Sequence, residues 1–227
     1  MASFLVRSAG GRLVHPAPPL DSFSVNLGAG CDLDYVRGGL DPCVSDVEAA
    51  FSACLEIPRT MTRFGQAVRR LQGTYGDKPY NFAGGNNYLG PLSGMPRLMQ
   101  QCLSDASERA ERLGHDPCGL RQCHVNLYVG KDAWLSFHQD NEVSCGSGFP
   151  IFSYSFYRDC CGDVYRYFVV SRDRGGADRV AELPLFHGDV VVMRGARFQA
   201  DLWHGCPKTP SSRAPDRLNV TIRFYTA

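Results

Sequence analysis

The sequence predicts an α+β, mainly β fold, a sandwich or jelly roll with two helices packed outside one sheet. Three observations predict it. Seven runs rich in β-branched and aromatic residues crowd into about the last hundred residues, and two segments of helical period precede them. A chain of 227 residues also suffices for one core, since a domain this size buries about 70% of its unfolded surface.

Residues 1–44, with "AGGRLVHPAPPLDSF" and "GGLDPC", are rich in Gly and Pro and read as a loosely structured arm with one or two short strands. The stretch "SDVEAAFSACLEI" opens with Ser45 and places Glu48 three positions on, a capping-box signal. Val47, Phe51, Cys54 and Leu55 then recur at helical spacing. A second helix is predicted in "PRLMQQCLSDASERAERLG", where Leu98, Met99, Cys102, Leu103, Ala106, Ala110 and Leu113 share a face and Gly114 supplies a stop. From Arg121 onward the strands are "CHVNLYV", "WLSFHQ", "FPIFSYSFY", "VYRYFVVS", "VAELPL", "GDVVVMRG" and "LNVTIRFYT". The chain thus divides into an arm, 1–44, and one domain, 45–227, with a core over about 121–226.

Composition excludes little. The formal charge is +1, from 24 basic and 23 acidic residues, so any nucleic-acid surface must be local. The ten cysteines are scattered without a CxxC pair, which favours reduced thiols in a cytosolic or nuclear setting. His115, Cys118, Cys123 and His124 are a weaker zinc alternative. Arg7 and Arg12 without a nearby acid faintly resemble an organelle transit peptide; an untethered arm is the plainer reading. No apolar run approaches the ~20 residues that span a bilayer, so no membrane partner is expected, and a monomer is.

The chemistry begins at "WLSFHQDNE", residues 134–142. Alternate side chains share a strand face, so His138 and Asp140 point the same way. Two ligands on one strand form an edge of a facial triad, and the third must come from later in the chain. His204, in "DLWHGCP", lies 64 residues past Asp140, whereas His187 in "FHGD" reads as a turn. Two His and one carboxylate leave three positions open on an octahedral ion, the arrangement of non-haem Fe(II) oxygenases. The tail "DRLNVTIRF" places Arg217, Asn219, Thr221 and Arg223 at period two on one face. Inward polar groups are costly unless something buried pairs with them, and a dicarboxylate between two guanidiniums meets that need.

Here the resemblance becomes specific. "NLYVGKDAWLSFHQDNE", a distal His204 and "RLNVTIR" resemble the AlkB family of iron- and 2-oxoglutarate-dependent dioxygenases. "PRTMTRFG" and "TYGDKPYNFAGG" are similar to the PR and YG segments of its nucleotide-recognition lid, and "ELPLFHGDVVVMRG" matches the strand and turn before its distal His. "QAVRRLQG" departs from the pattern as an insertion between the lid segments. The likeness spans roughly residues 56–226 and implies a double-stranded β-helix with an N-terminal lid over about 56–90.

The resemblance implies that His138, Asp140 and His204 hold Fe(II) and act with O2. It implies that Arg217 pairs with the distal carboxylate of 2-oxoglutarate, and that Asn126, Tyr128, Asn219 and Arg223 complete that pocket. Its substrates are N-alkylated bases of the 1-methyladenine and 3-methylcytosine type in DNA or RNA. Such positions are hidden in a duplex, so single strands or flipped bases are expected. Tyr80 and Phe82 would stack on the base and Glu142 would contact its exocyclic edge. Arg59, with Arg63, Arg69, Arg70 and Lys78, would form a phosphate-facing strip. Two other readings stand beside this one: an oxygenase of a protein, lipid or metabolite, since such folds host many chemistries, and a catalytically silent binding module.

Overall fold

The computed structural model describes residues 5–7, 13–14, 22–61, 64–82, 87–140, 148–158, 166–209 and 214–225, with side chains for all but 5–7, 13–14, 81–82 and 87–88. In chain order the elements are β1 (Leu5–Arg7), β2 (Leu13–Val14), β3 (Ser22–Gly28), β4 (Cys31–Val36), α1 (Val44–Leu55), β5 (Leu71–Gly76), β6 (Tyr80–Phe82), β7 (Asn87–Leu89) and α2 (Arg97–Arg112). There follow β8 (Leu120–Tyr128), β9 (Leu135–His138), β10 (Ile151–Tyr157), β11 (Arg166–Ser171), β12 (Arg179–Leu185), β13 (Asp189–Arg194), α3 (Phe198–Asp201), β14 (Trp203–Cys206) and β15 (Arg217–Tyr225).

Two antiparallel sheets face each other. The larger has the order β3-β4-β13-β10-β15-β8-β5 and the smaller β2-β1-β12-β11-β14-β9, while β6 and β7 form a separate hairpin. This is the expected double-stranded β-helix.

Strand parity assigns the layers. On β15, Leu218, Val220, Ile222 and Phe224 turn outward to one apolar cluster with Val47 and Phe51 of α1 and Leu98, Met99 and Cys102 of α2. Cys123, Val125 and Leu127 of β8 and Phe152, Tyr154 and Phe156 of β10 join it. The two helices therefore cover the outer face of the larger sheet, as predicted. A second cluster lies between the sheets, with Leu33, Tyr35, Val191 and Met193 of the larger meeting Phe168, Val170 and Leu183 of the smaller. The remaining inward positions of β5, β8, β10 and β15 are polar, and they line the site.

Several elements differ from expectation. Residues 22–36 are an ordered hairpin whose β4 pairs with β13 from Val36↔Val190 to Asp32↔Arg194, so this part of the arm belongs to the larger sheet. The capping box is not made. Helix α1 starts at Val44 with Cys43 as N-cap and no side-chain cap bond, which puts Ser45 inside the first turn, where its hydroxyl lies 3.2 Å from Cys43 Sγ. Leu113 falls at the C-cap of α2, 39% exposed; Gly114 beyond it takes φ +81, the left-handed stop predicted there. Strands β5 and β14 were not among the seven expected.

Candidate metal centre and its cavity

Strands β9 and β14 pair antiparallel with His204 directly opposite His138, which brings the two imidazole centroids to 4.3 Å. The register then shifts before Cys206. Gly205 makes the irregularity possible, since a Cβ there would meet Leu135 O at 3.0 Å and Phe137 N at 3.2 Å. Asp140 follows two residues after His138. Its Oδ1 lies 3.5 Å from His138 Nε2 and its Oδ2 3.7 Å from His204 Nε2. Donors each about 2 Å from one ion lie roughly 3–4 Å apart, so the three groups have metal-site spacing. Among the described residues this is the one such His/Cys/Asp/Glu group, its ligand atoms all within 4.8 Å of one another.

The donor chemistry fits an ion as well as the spacing does. His138 Nδ1 lies 2.9 Å from the Ser136 carbonyl, so an Nδ1–H donating there leaves the Nε2 lone pair facing the other two ligands. Burial first, and then neighbouring His138, pushes His204 down to about 3; burial likewise lowers His138. Both rings are neutral donors at neutral pH, as a metal requires. His204 Nδ1 is buried without a hydrogen-bond partner among the described residues, an expense that marks the ring as held for its other nitrogen. Burial alone would raise Asp140, but Arg223 and then the two imidazoles hold it well below the usual carboxylate range.

Two residues fix that carboxylate. Arg223 Nη2 donates to Asp140 Oδ2 at 2.7 Å, its Nη1 to Gln122 Oε1 at 3.0 Å. Gln199 of α3 accepts the Asp140 backbone N–H at 2.8 Å through its Oε1. Gln199→Leu should therefore weaken metal binding by about 10–100-fold, the usual effect of losing a group that orients a ligand. Titration of the purified variant with Fe(II) under anaerobic conditions checks this; unchanged affinity would assign Gln199 to packing alone.

The metal group lines one cavity together with Arg217, Asn219 and Tyr128. Its floor follows from register. Asn126 pairs with Gln72 and Asn219, Asn219 with Ser155, and one row along, Thr74, His124, Thr221 and Ser153 align across β5, β8, β15 and β10. At the far end Arg217 donates through Nε and Nη2 to Ser155 Oγ at 3.2 and 2.8 Å, and its guanidinium lies 5.3 Å from the Tyr128 ring. No acidic side chain among the described residues comes within 4.0 Å of it, although it is 2% exposed. Asn126 donates to Asn219 Oδ1 at 3.3 Å, and Asn219 to Ser153 Oγ and the Tyr154 carbonyl. All five residues expected around 2-oxoglutarate thus reach one cavity, with Arg223 turned to the metal carboxylate rather than to Arg217.

The expected substrate residues are less united. Tyr80 covers the cavity, its ring 4.1 Å from that of His124 and 5.4 Å from the Arg223 guanidinium. Phe82 is on β6, its side chain outside the described set, and Glu142 and Arg63 lie outside the described residues. Arg59 and Arg69 are exposed, but the phosphate-facing strip is corrected at Arg70. That residue is buried in the cavity wall, where Nε donates to Asn126 Oδ1 at 2.6 Å and Nη2 to Gln72 Oε1 at 2.9 Å. The zinc alternative also fails geometrically: His124 faces the cavity, Cys123 faces the helices and Cys118 is exposed. His187 is a turn residue with Nδ1 at Tyr157 N. Sequence reasoning missed Arg70 and His124 as cavity residues, although Arg70, Gln72 and Thr74 repeat the period-two polar pattern of the tail.

Comparison with known proteins agrees with this geometry. The model of the 2OG-Fe(II) oxygenase superfamily matches residues 54–223. The fold is similar to that of the AlkB homologue OsALKBH1, with a TM-score of 0.57 at 16% identity over 89% of this chain and 100% of that one. It is similar also to a prolyl-4-hydroxylase of Pseudomonas putida, with a TM-score of 0.52 at 16% identity over 86% and 92%. No curated protein sequence matches. These likenesses concern fold; the family match covers three quarters of the sequence and includes every metal ligand. The chain therefore belongs to the 2OG-Fe(II) oxygenase superfamily, whose chemistry uses iron(II), 2-oxoglutarate and O2.

Proposed function

We propose that this oxygenase removes N-alkyl groups from bases of single-stranded DNA or RNA by oxidation. Bound iron(II) supplies the oxygen activation, coupling decarboxylation of 2-oxoglutarate to succinate and CO2 with transfer of one oxygen atom to a substrate C–H bond. An N-methyl carbon so hydroxylated loses formaldehyde. The protein's part is positioning. Arg217 would hold the distal carboxylate of 2-oxoglutarate in bidentate fashion, with Asn126, Tyr128 and Asn219 along its length. His138, Asp140 and His204 would hold the iron, and Arg223 would keep Asp140 ionised.

One observation carries the choice of a base: Tyr80 lies over the metal end of the cavity, against His124 and Arg223. A flat aromatic at that mouth suits a splayed base, which stacks favourably with side-chain rings. The second reading, hydroxylation of a protein side chain, draws support from the fold shared with a prolyl-4-hydroxylase. Succinate release across methylated oligonucleotides, their unmodified counterparts and peptides decides between them. Stimulation specific to methylated strands is expected; stimulation by peptides alone would reject the base reading.

A further inference from the structure

Arg166 is the first residue of β11 in the smaller sheet, yet its guanidinium binds turns that flank the larger one. The side chain is fully buried. All three of its nitrogens donate to main-chain carbonyls: Nη1 to Ala133 at 2.8 Å, Nη2 to Gly130 at 2.5 Å and Nε to Pro215 at 3.3 Å. A planar fork of five N–H donors suits three acceptors fixed in one region, which the compact ammonium of lysine does not match. The carbonyls belong to two turns. Gly130 follows Tyr128, the last residue of β8, and Pro215 precedes Arg217, the first residue of β15. Tyr128 and Arg217 are direct partners across those strands. The same two turns are joined again by the Gly130 N–H, which donates to Asp216 Oδ1 at 2.8 Å. The guanidiniums of Arg166 and Arg217 lie 5.2 and 5.3 Å from one ring, that of Tyr128.

Arg166 thus bolts the smaller sheet to the two turns that hold Tyr128 and Arg217, without lining the cavity itself. We propose that it is a positioning residue that sets which length of 2-oxo dicarboxylate the enzyme accepts. The metal ligands fix where one part of such a molecule lies, and the turns fix where Arg217 waits for its distal carboxylate. A guanidinium receives a carboxylate through two parallel N–H bonds in one narrow geometry. A homologue one methylene longer therefore meets a clamp that the bolt keeps from moving, and loses part of the contact. The inference rests on the assignment of Arg217 to the distal carboxylate and adds the residue that holds it in place.

Arg166→Lys keeps the charge but reaches fewer carbonyls, and Arg166→Met removes every donor. In both, the KM for 2-oxoglutarate should rise about tenfold, the worth of one charge-assisted hydrogen bond, while kcat at saturating co-substrate stays close to wild type. Thermal stabilisation of the metal-free protein by 2-oxoglutarate should shrink, and so should its preference over 2-oxoadipate, which is one methylene longer. A residue needed for folding alone would lower the melting temperature and the active fraction while leaving KM and that preference unchanged. Such a result in a folded variant overturns the proposal. Hydrogen exchange in the wild type tests it without substitution: added 2-oxoglutarate should slow the amides of Gly130 and Ala133, whose bonds run within these turns. Unchanged exchange there overturns the proposal too, and this measurement decides should neither variant fold. A wild-type protein that responds to 2-oxoglutarate in neither melting nor turnover overturns the assignment of Arg217 as well.

Discussion

Asp140→Ala is expected to abolish iron-dependent succinate formation and to destabilise the folded protein at the same time. The first effect follows from the loss of the carboxylate that lies between His138 and His204. The second follows from Arg223, whose buried guanidinium donates to Asp140 Oδ2 at 2.7 Å and sits, like it, almost wholly out of water. Removing one partner of a buried ion pair costs about 3–5 kcal/mol. Urea denaturation of the metal-free variant measures this, with an unchanged slope confirming that stability rather than compactness has moved. Stability equal to wild type would mean that the other contacts of Arg223 suffice to hold it and that the fold does not depend on its pair with Asp140.

Arg217→Met is expected to do the opposite to the fold while doing comparable harm to turnover. Arg217 is as deeply buried as Arg223, but its hydrogen bonds go to the hydroxyl of Ser155 and, at 3.9 Å, to Cys206 Sγ. An unbalanced buried charge destabilises, so an apolar side chain of similar length should raise the stability of the ligand-free protein by about 1 kcal/mol. The same substitution removes a charge-assisted bidentate contact worth roughly 2–5 kcal/mol, so the KM for 2-oxoglutarate should rise at least about thirtyfold. Thermal melting separates the effects. Wild-type protein gains stability when 2-oxoglutarate is added, by linkage, and the variant should start higher and gain little. A variant that melts lower than wild type and still responds to 2-oxoglutarate would remove Arg217 from the co-substrate pocket.

What was legible in the sequence was whatever a strand repeats. Arg217, Asn219, Thr221 and Arg223 alternate with Leu218, Val220, Ile222 and Phe224, and the two faces of β15 divide accordingly. His138 and Asp140 were readable as one edge of a site for the same reason. His204 was harder, because Trp203–Cys206 is a four-residue strand interrupted by Gly205, too short and irregular to show a period; its place just before the last strand singled it out, and the resemblance to a known family agreed. Hairpin β3–β4 does alternate, with Cys31, Leu33 and Tyr35 inward, but the surrounding Gly and Pro outweighed that signal. Arg70 was misread as solvated because basic residues usually are, and the register that turns it inward is set by β8, about fifty residues further along.

Strand β15 is the last of the fold in sequence and lies third from one edge of the larger sheet, between β10 and β8. Before it is in place the sheet exists as two pieces, β5–β8 and β3–β4–β13–β10, each with an unpaired edge along its length. Because chains emerge from the ribosome N-terminus first, these halves wait for a keystone that is synthesised after everything it joins. The nascent protein must keep two sticky edges apart until then, and its anion-binding end is completed by the same insertion that closes the sheet.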